Sequence, residues 1–222
     1  MRYFKSAFVA TALCALPGLA SAATLDFEEF TSFQQLGTHF TTQGFSVTAT
    51  SGDMLAYSAG SVPTVPESGS TSIGMSNNPN APTPVNSSLT FAAEDGSTFD
   101  LLSFRASEGR NQGRFFADFA STAIDIMGTR ADGSTVSLNF AFDGIASDSP
   151  ATDFETVLFS GFTNLTSFSV TGQGGTRGGY AFQLDDVQVQ PSAIPLPAGA
   201  PLVLSSFALL GALRLRRRSR AA

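Results

Sequence analysis

Tryptophan is absent from this chain, and cysteine, histidine and lysine occur once each. Each scarcity removes a class of chemistry. Cys14 lies inside an apolar N-terminal run, and Leu13 stands immediately before it, where a lipoprotein signal needs a small residue. The cysteine is therefore expected to leave with a cleaved leader, and the remainder has no thiol nucleophile, no disulfide framework and no cysteine-based metal site. Lys5 lies in the same leader, so amine-based covalent catalysis is excluded from the rest. His39 is the one imidazole. A Ser-His-Asp arrangement through it stays formally open, but no G-x-S-x-G elbow accompanies it. Missing tryptophan removes the commonest platform for stacking sugars. A glycoside hydrolase would need two carboxylates about 5 to 9.5 Å apart across a cleft. The acids are plentiful, but no cleft can be read from them.

What is present begins with the two ends. The N-terminus "MRYFKSAFVATALCALPGLASAA" has Arg2 and Lys5, an apolar stretch over residues 7–16, and Ala20 and Ala22 as an A-x-A cleavage pattern. Residues 1–22 are thus predicted to be a secretory signal peptide, the alternative being an Ala-rich helix buried in the core. The C-terminus "IPLPAGAPLVLSSFALLGALRLRRRSRAA" joins a proline-punctuated linker over 191–201 to an apolar run and an arginine knot. Residues 198–213 carry no charge. As a helix they would span about 24 Å, a little short of the roughly 30 Å of a hydrocarbon core. A short transmembrane helix centred on 202–213 is expected, and Arg214, Arg216, Arg217 and Arg218 should hold the 214–222 tail on the cytoplasmic side. A soluble core helix would not explain Pro201 within the run or arginines at one end only.

The order "IPLPAG", apolar span, "RLRRRSR" resembles the PEP-CTERM type of bacterial sorting signal in its VPLPA-CTERM variant, with Ile194 where that variant usually has valine. The resemblance covers about the last 29 residues, with Ile194, Pro195, Leu196, Pro197 and Ala198 as the sorting motif. It implies an exosortase-like processing enzyme as partner and a Gram-negative envelope protein. Such a protein starts as an inner-membrane-anchored precursor and is delivered to the cell surface or exopolysaccharide matrix. A Gram-positive sortase signal has a similar layout, but Leu196-Pro197-Ala198-Gly199 lacks the threonine that a sortase attacks.

Charge partitions sharply between ends and middle. Two of the 12 basic residues lie in the leader and five in the tail, so the middle holds five against all 18 acids, a net charge of −13. Such a surface repels nucleic acid and anionic membranes, since binding either requires neutralising phosphates with Lys and Arg. Divalent cations, cationic partners or neutral glycans suit it better.

Residues 23–190 read as a single all-β ectodomain. In "TVSLNFAF" the residues Val136, Leu138, Phe140 and Phe142 share one face in strict alternation, and Asp132-Gly133 before it marks a hairpin from "STAIDIMG". Similar runs recur in "GFSVTAT", "SSLTFAA", "STFDLLSFRA", "GRFFADFA", "FETVLFSGF", "LTSFSVTG" and "GYAFQLDDVQV". About ten short strands without an amphipathic helix predict a two-sheet β-sandwich of jelly-roll type. Its core should be filled from the 21 phenylalanines. The segment over 58–88 is rich in Pro, Ser, Asn and Gly and reads as loops flanking a short strand near Ile73.

Two breaks in apolar parity stand out. "TLDFEEF" jumps from Phe27 to Phe30 and "YAFQLDDVQV" from Leu184 to Val187, each jump bracketing a pair of acids. Such slips are traces of β-bulges, and first and last strands of a sandwich are often neighbours. Glu28, Glu29, Asp185 and Asp186 are therefore candidate ligands of a structural Ca²⁺, the alternative being separate solvated acids that guard sheet edges. The ends "LDFEEF" and "FQLDDVQV" also resemble those of many extracellular jelly-roll domains, carbohydrate-binding modules among them, some of which hold calcium there.

The leading expectation is a non-catalytic structural or adhesive protein of the envelope or exopolysaccharide. The alternative is a carbohydrate-binding module of the extracellular matrix, with Tyr57, Tyr180, Arg110 and Arg114 as stacking and hydrogen-bonding candidates. A glycan-active hydrolase ranks third.

Overall fold

A computed structural model describes residues 21–50, 53–58, 70–76, 88–108, 120–143, 154–174 and 181–192. Residues 1–20 of the predicted signal peptide, and the predicted sorting motif, apolar span and arginine tail beyond residue 192, lie outside the described residues, as do Arg110, Arg114 and Tyr180.

Among the described residues there are thirteen strands and no helix. They are β1 (Ala23–Leu25), β2 (Gln34–Gly37), β3 (His39–Thr42), β4 (Phe45–Ala49), β5 (Asp53–Tyr57), β6 (Ser72–Ser76) and β7 (Ser88–Ala93). There follow β8 (Phe99–Ser107), β9 (Ala123–Arg130), β10 (Thr135–Ala141), β11 (Glu155–Leu158), β12 (Leu165–Gln173) and β13 (Gln183–Pro191). The protein is all-β, as its alternating apolar pattern implies.

The ladders are antiparallel and form two groups. One runs β2-β5-β6-β13-β8, with β11 on β8 and β1 on β13. The other runs β10-β9-β12-β7-β4-β3. Among the described residues the pair Leu165 with Phe99 joins them, and so does an isolated parallel bridge between Ala120, just before β9, and Ala181, just before β13. Both groups turn an apolar face to one core, in which Met54, Ile73, Phe104, Leu184 and Val187 of the first meet Val47, Phe91, Ile126, Phe168 and Val170 of the second. Phenylalanine fills that core as its abundance suggests. Phe91 and Phe168 stack at 4.6 Å with rings 2° from parallel. Phe99 lies edge-on to Phe45 at 5.0 Å and to Phe168 at 6.1 Å, tying the sheets where they join. Offset and edge-on pairs of this kind add about 0.5–1.5 kcal/mol each beyond burial of their area.

The β9–β10 hairpin closes at Asp132-Gly133. Gly133 takes φ 83°, which a side chain would resist, and Asp132 Oδ1 accepts from Ser134 N at 2.9 Å. Hydrogen bonding from Ser134 holds the Asp132 carboxyl below the usual carboxylate range.

The two parity breaks have different origins. In β13 the register against β8 slips between Asp185 and Gln188, and Asp186 takes φ 49°, so one extra residue is bulged out. At the other end β1 has already stopped at Leu25. Phe27 takes φ 57° and its carbonyl accepts from Phe30 N at 3.1 Å, so the jump there is a turn and not a bulge. β1 does lie beside β13, with Leu25 opposite Val187.

Candidate ligand-binding face

The sheet β2-β5-β6-β13-β8-β11 has one face in the core and the other polar. Alternation enforces this: Met54, Ala56, Ile73, Leu184, Ala106 and Val157 point into the core, so their neighbours in each strand point to the opposite side, where Ser72, Gln183, Asp185 and Ser107 are also buried. Register then aligns those neighbours. Tyr57 sits opposite Ser72, and Asp185 opposite Arg105, which is opposite Thr156. A parallel row holds Gln35, Leu55, Gly74, Gln183 and Ser107.

At the β2 edge this face carries an aromatic platform. Phe33, 47% exposed, lies 5.6 Å from Tyr57 with the rings at 48°. The Tyr57 ring rests on Gly74, where an added Cβ would come within 2.8 Å of its Cε2. Burial pushes the Tyr57 hydroxyl up to about 12, because a phenolate there would lose its hydration. Beside the rings Gln35 Nε2 donates to Asp53 Oδ2. Ser72 Oγ donates to Gln183 Oε1 at 2.7 Å, while Gln183 Nε2 and the Ser107 hydroxyl, both buried, find no hydrogen-bond partner among the described residues. Of the sequence-predicted glycan candidates Tyr57 is thus placed on a polar face beside an exposed ring. Phe33 escaped sequence reading because it looks like one of many core phenylalanines.

Three of the four candidate calcium ligands make separate contacts with other groups. Glu28 Oε1 accepts from Thr71 N at 2.9 Å, and Asp185 Oδ2 accepts from Ser70 Oγ at 2.6 Å. Asp185 Oδ1 accepts from Asp186 N at 2.7 Å, and Asp186 Oδ2 stands 3.6 Å from Arg105 Nη1. Glu29 is exposed. Asp185 itself is fully buried, with donors supplying the stabilisation that a carboxylate needs away from water. The trio that meets metal-ligand spacing among the described residues is another one, Glu108, Asp143 and Glu155, with one carboxylate oxygen from each within 4.8 Å of the others. Its members come from three strand ends distant in sequence, so no local motif announces them.

A separate cleft of about 450 Å³ opens at the other end, with Phe45, Phe99 and Val189 as its floor and Gln43, Glu94 and Asp95 on its rim. His39 lies on the exposed edge strand β3, its Nε2 3.3 Å from Ser46 Oγ on β4. No carboxylate among the described residues orients the ring, so this is a cross-strand contact without the third member of a triad.

No protein-family model matches the chain. No curated protein matches it either. Solved structures with a similar strand arrangement include a family 29 carbohydrate-binding module complexed with mannohexaose, at 9% identity over 78% of this chain and 93% of that one, TM-score 0.41. Another is a family 32 carbohydrate-binding module from C. perfringens NanJ in complex with galactose, at 16% identity, 71% and 98% coverage and TM-score 0.39. A third is a cleaved adhesin domain of Lys-gingipain, at 17% identity, 78% and 100% coverage and TM-score 0.47. Likenesses of this size assign neither a ligand nor an activity.

Proposed function

We propose that this chain is an exported, non-catalytic carbohydrate-binding protein, a sandwich of jelly-roll type that presents the Phe33–Tyr57 platform to a neutral glycan. The carrying observation is the half-exposed Phe33 ring, braced by Tyr57 and flanked by the amide and carboxylate of Gln35 and Asp53. Sugar rings offer apolar C–H faces and hydroxyl edges, and this arrangement supplies an aromatic surface with donors and acceptors at its border. The surplus of acids opposes polyanionic glycans and favours neutral ones. Export through the residue 1–22 signal, exosortase recognition of Ile194 to Ala198, and transient membrane anchoring complete the reading. They would put the module on the surface of a Gram-negative cell or in its exopolysaccharide.

Affinity electrophoresis of the full chain in gels containing neutral or acidic polysaccharides tests the site. Retardation by a neutral glycan should weaken about tenfold in Phe33→Ala, which corresponds to 1.4 kcal/mol, with folding unaffected because the ring is half in solvent. No retardation of the parent chain, or retardation that Phe33→Ala leaves intact, rejects the platform and leaves the structural, adhesive role. Intact-mass measurement of protein released by the native host tests the address. The expected chain begins at Ala23 and ends between Ile194 and Pro201, and recovery with Arg214 to Arg218 still attached refutes exosortase processing.

A further inference from the structure

We propose that β10 is a self-pairing edge through which two copies of this chain join their sheets. Sheet edges normally carry protection: shortness, bulges, proline or charge. β1, β2, β3 and β11 have three or four residues each, and β2 also has a register shift. β10 has none of these defences. It pairs with β9 over seven consecutive residues without a shift, and "TVSLNFA" contains neither charge nor proline. Among the described residues nothing pairs with its other side.

The outward groups can be assigned from the hairpin. Arg130 N donates to Ser134 O and Phe142 N donates to Thr122 O. Alternation between those bonds turns the amides and carbonyls of Val136, Leu138 and Phe140 towards β9. Those of Thr135, Ser137, Asn139 and Ala141 therefore face away, and all four residues are exposed.

An antiparallel partner related by a two-fold axis through Leu138 meets this edge in register. Thr135 then faces Ala141 of the other copy and Ser137 faces Asn139, so every outward donor finds an outward acceptor. On the inward-facing side Val136 meets Phe140 and Leu138 meets Leu138, extending the half-buried apolar stripe of one copy into the next. An isologous contact needs a self-complementary patch, and on so acidic a chain an uncharged strand is where two copies can approach. Asp132 and Asp143 flank the strand and fall near each other across the axis. Association should therefore tighten as added salt shortens the screening length, from about 30 Å at 0.01 M to about 10 Å at 0.1 M.

Sedimentation of the full chain in mild detergent, over a concentration series, tests the edge. The parent should double its apparent protein mass with concentration, more readily at the higher salt. S137K/N139K and S137E/N139E should each stay monomeric, because like charges then face each other twice across the axis, and an equimolar mixture should recover the doubled mass. With Cys14 replaced by serine, Leu138→Cys should form an interchain disulfide on mild oxidation and Ser137→Cys should not, since only residue 138 faces its own copy. A parent that stays monomeric throughout, or a dimer that persists in both charge variants, overturns the proposal.

Discussion

Gly74→Ala tests the packing that holds the platform. An added Cβ would lie 2.8 Å from Tyr57 Cε2, 3.1 Å from Gln183 Cγ and 3.1 Å from the carbonyl oxygen of Phe182. Ordinary carbon contacts are about 3.5–4.0 Å, so the Tyr57 ring must retreat by roughly 1 Å. The ladder cannot open instead, because the same Phe182 carbonyl accepts from Met75 N at 3.1 Å. Overpacking of this kind costs about 1–3 kcal/mol. For a domain of this size each kcal/mol lowers the melting temperature by roughly 2–4 °C. A ring pushed towards water also regains hydration for its phenolate, so its ionisation should move from about 12 towards the ordinary tyrosine value of about 10. Ultraviolet titration reads this directly, since the chain has three tyrosines and no tryptophan, and Tyr57→Phe identifies the late-titrating one. A Gly74→Ala chain that melts with the parent and keeps its late-titrating tyrosine would refute the packing of Tyr57 on Gly74.

Tyr57 also makes alkaline stability predictable. The fold favours the neutral phenol, so stability is level below the unfolded value of about 10 and falls as pH rises through about 12, by roughly 2–3 kcal/mol in all. Denaturant melts across that range should show the loss, and Tyr57→Phe should flatten it. Asp185→Asn should cost about 1–3 kcal/mol, because it weakens the charge-assisted bond from Ser70 in a fully buried position. Thermal melts with calcium, magnesium or a chelator separate this from a metal site: a calcium response in the parent that the variant loses would mark a bound cation. His39→Ala should leave glycan binding unchanged and stability within about 0.5 kcal/mol, since the residue is exposed and its side chain bonds only Ser46 among the described residues. Loss of a hydrolytic activity in that variant, beyond its loss of stability, would show the non-catalytic reading to be wrong.

The strands legible in the sequence were those whose alternation runs long enough to exclude chance. β10, with Val136, Leu138 and Phe140 half-buried and the intervening residues exposed, has the expected pattern, as do β4, β7, β8, β9 and β12. β2, β3 and β5 were not legible. "QQLG" and "HFTT" are short, polar edge segments whose strand state is imposed by neighbours, and "DMLAY" alternates within an apolar run that a loop could equally contain. The acids behave likewise. A parity slip showed that something irregular happens at Asp185-Asp186, and the bulge is there. The same slip at Glu28-Glu29 marks a turn, because alternation cannot distinguish an extra residue inside a strand from a strand that has already ended.

What sequence could not supply was the third dimension of the face. Phe33, Tyr57 and Gly74 are separated by 24 and 17 positions, and only the β5–β6 and β2–β5 registers bring the ring, its brace and the gap it rests on together. This dependence separates function from stability in a testable way. Phe33 lies outside the core, so its removal should subtract binding and leave melting alone, whereas Gly74 lies under the platform, so filling it should subtract both. Two substitutions on one face with opposite stability signatures and a shared loss of glycan binding are what a platform held by register requires. A glycan bound elsewhere, for instance in the cleft between Phe45 and Glu94, would respond to neither beyond the general destabilisation that Gly74→Ala brings.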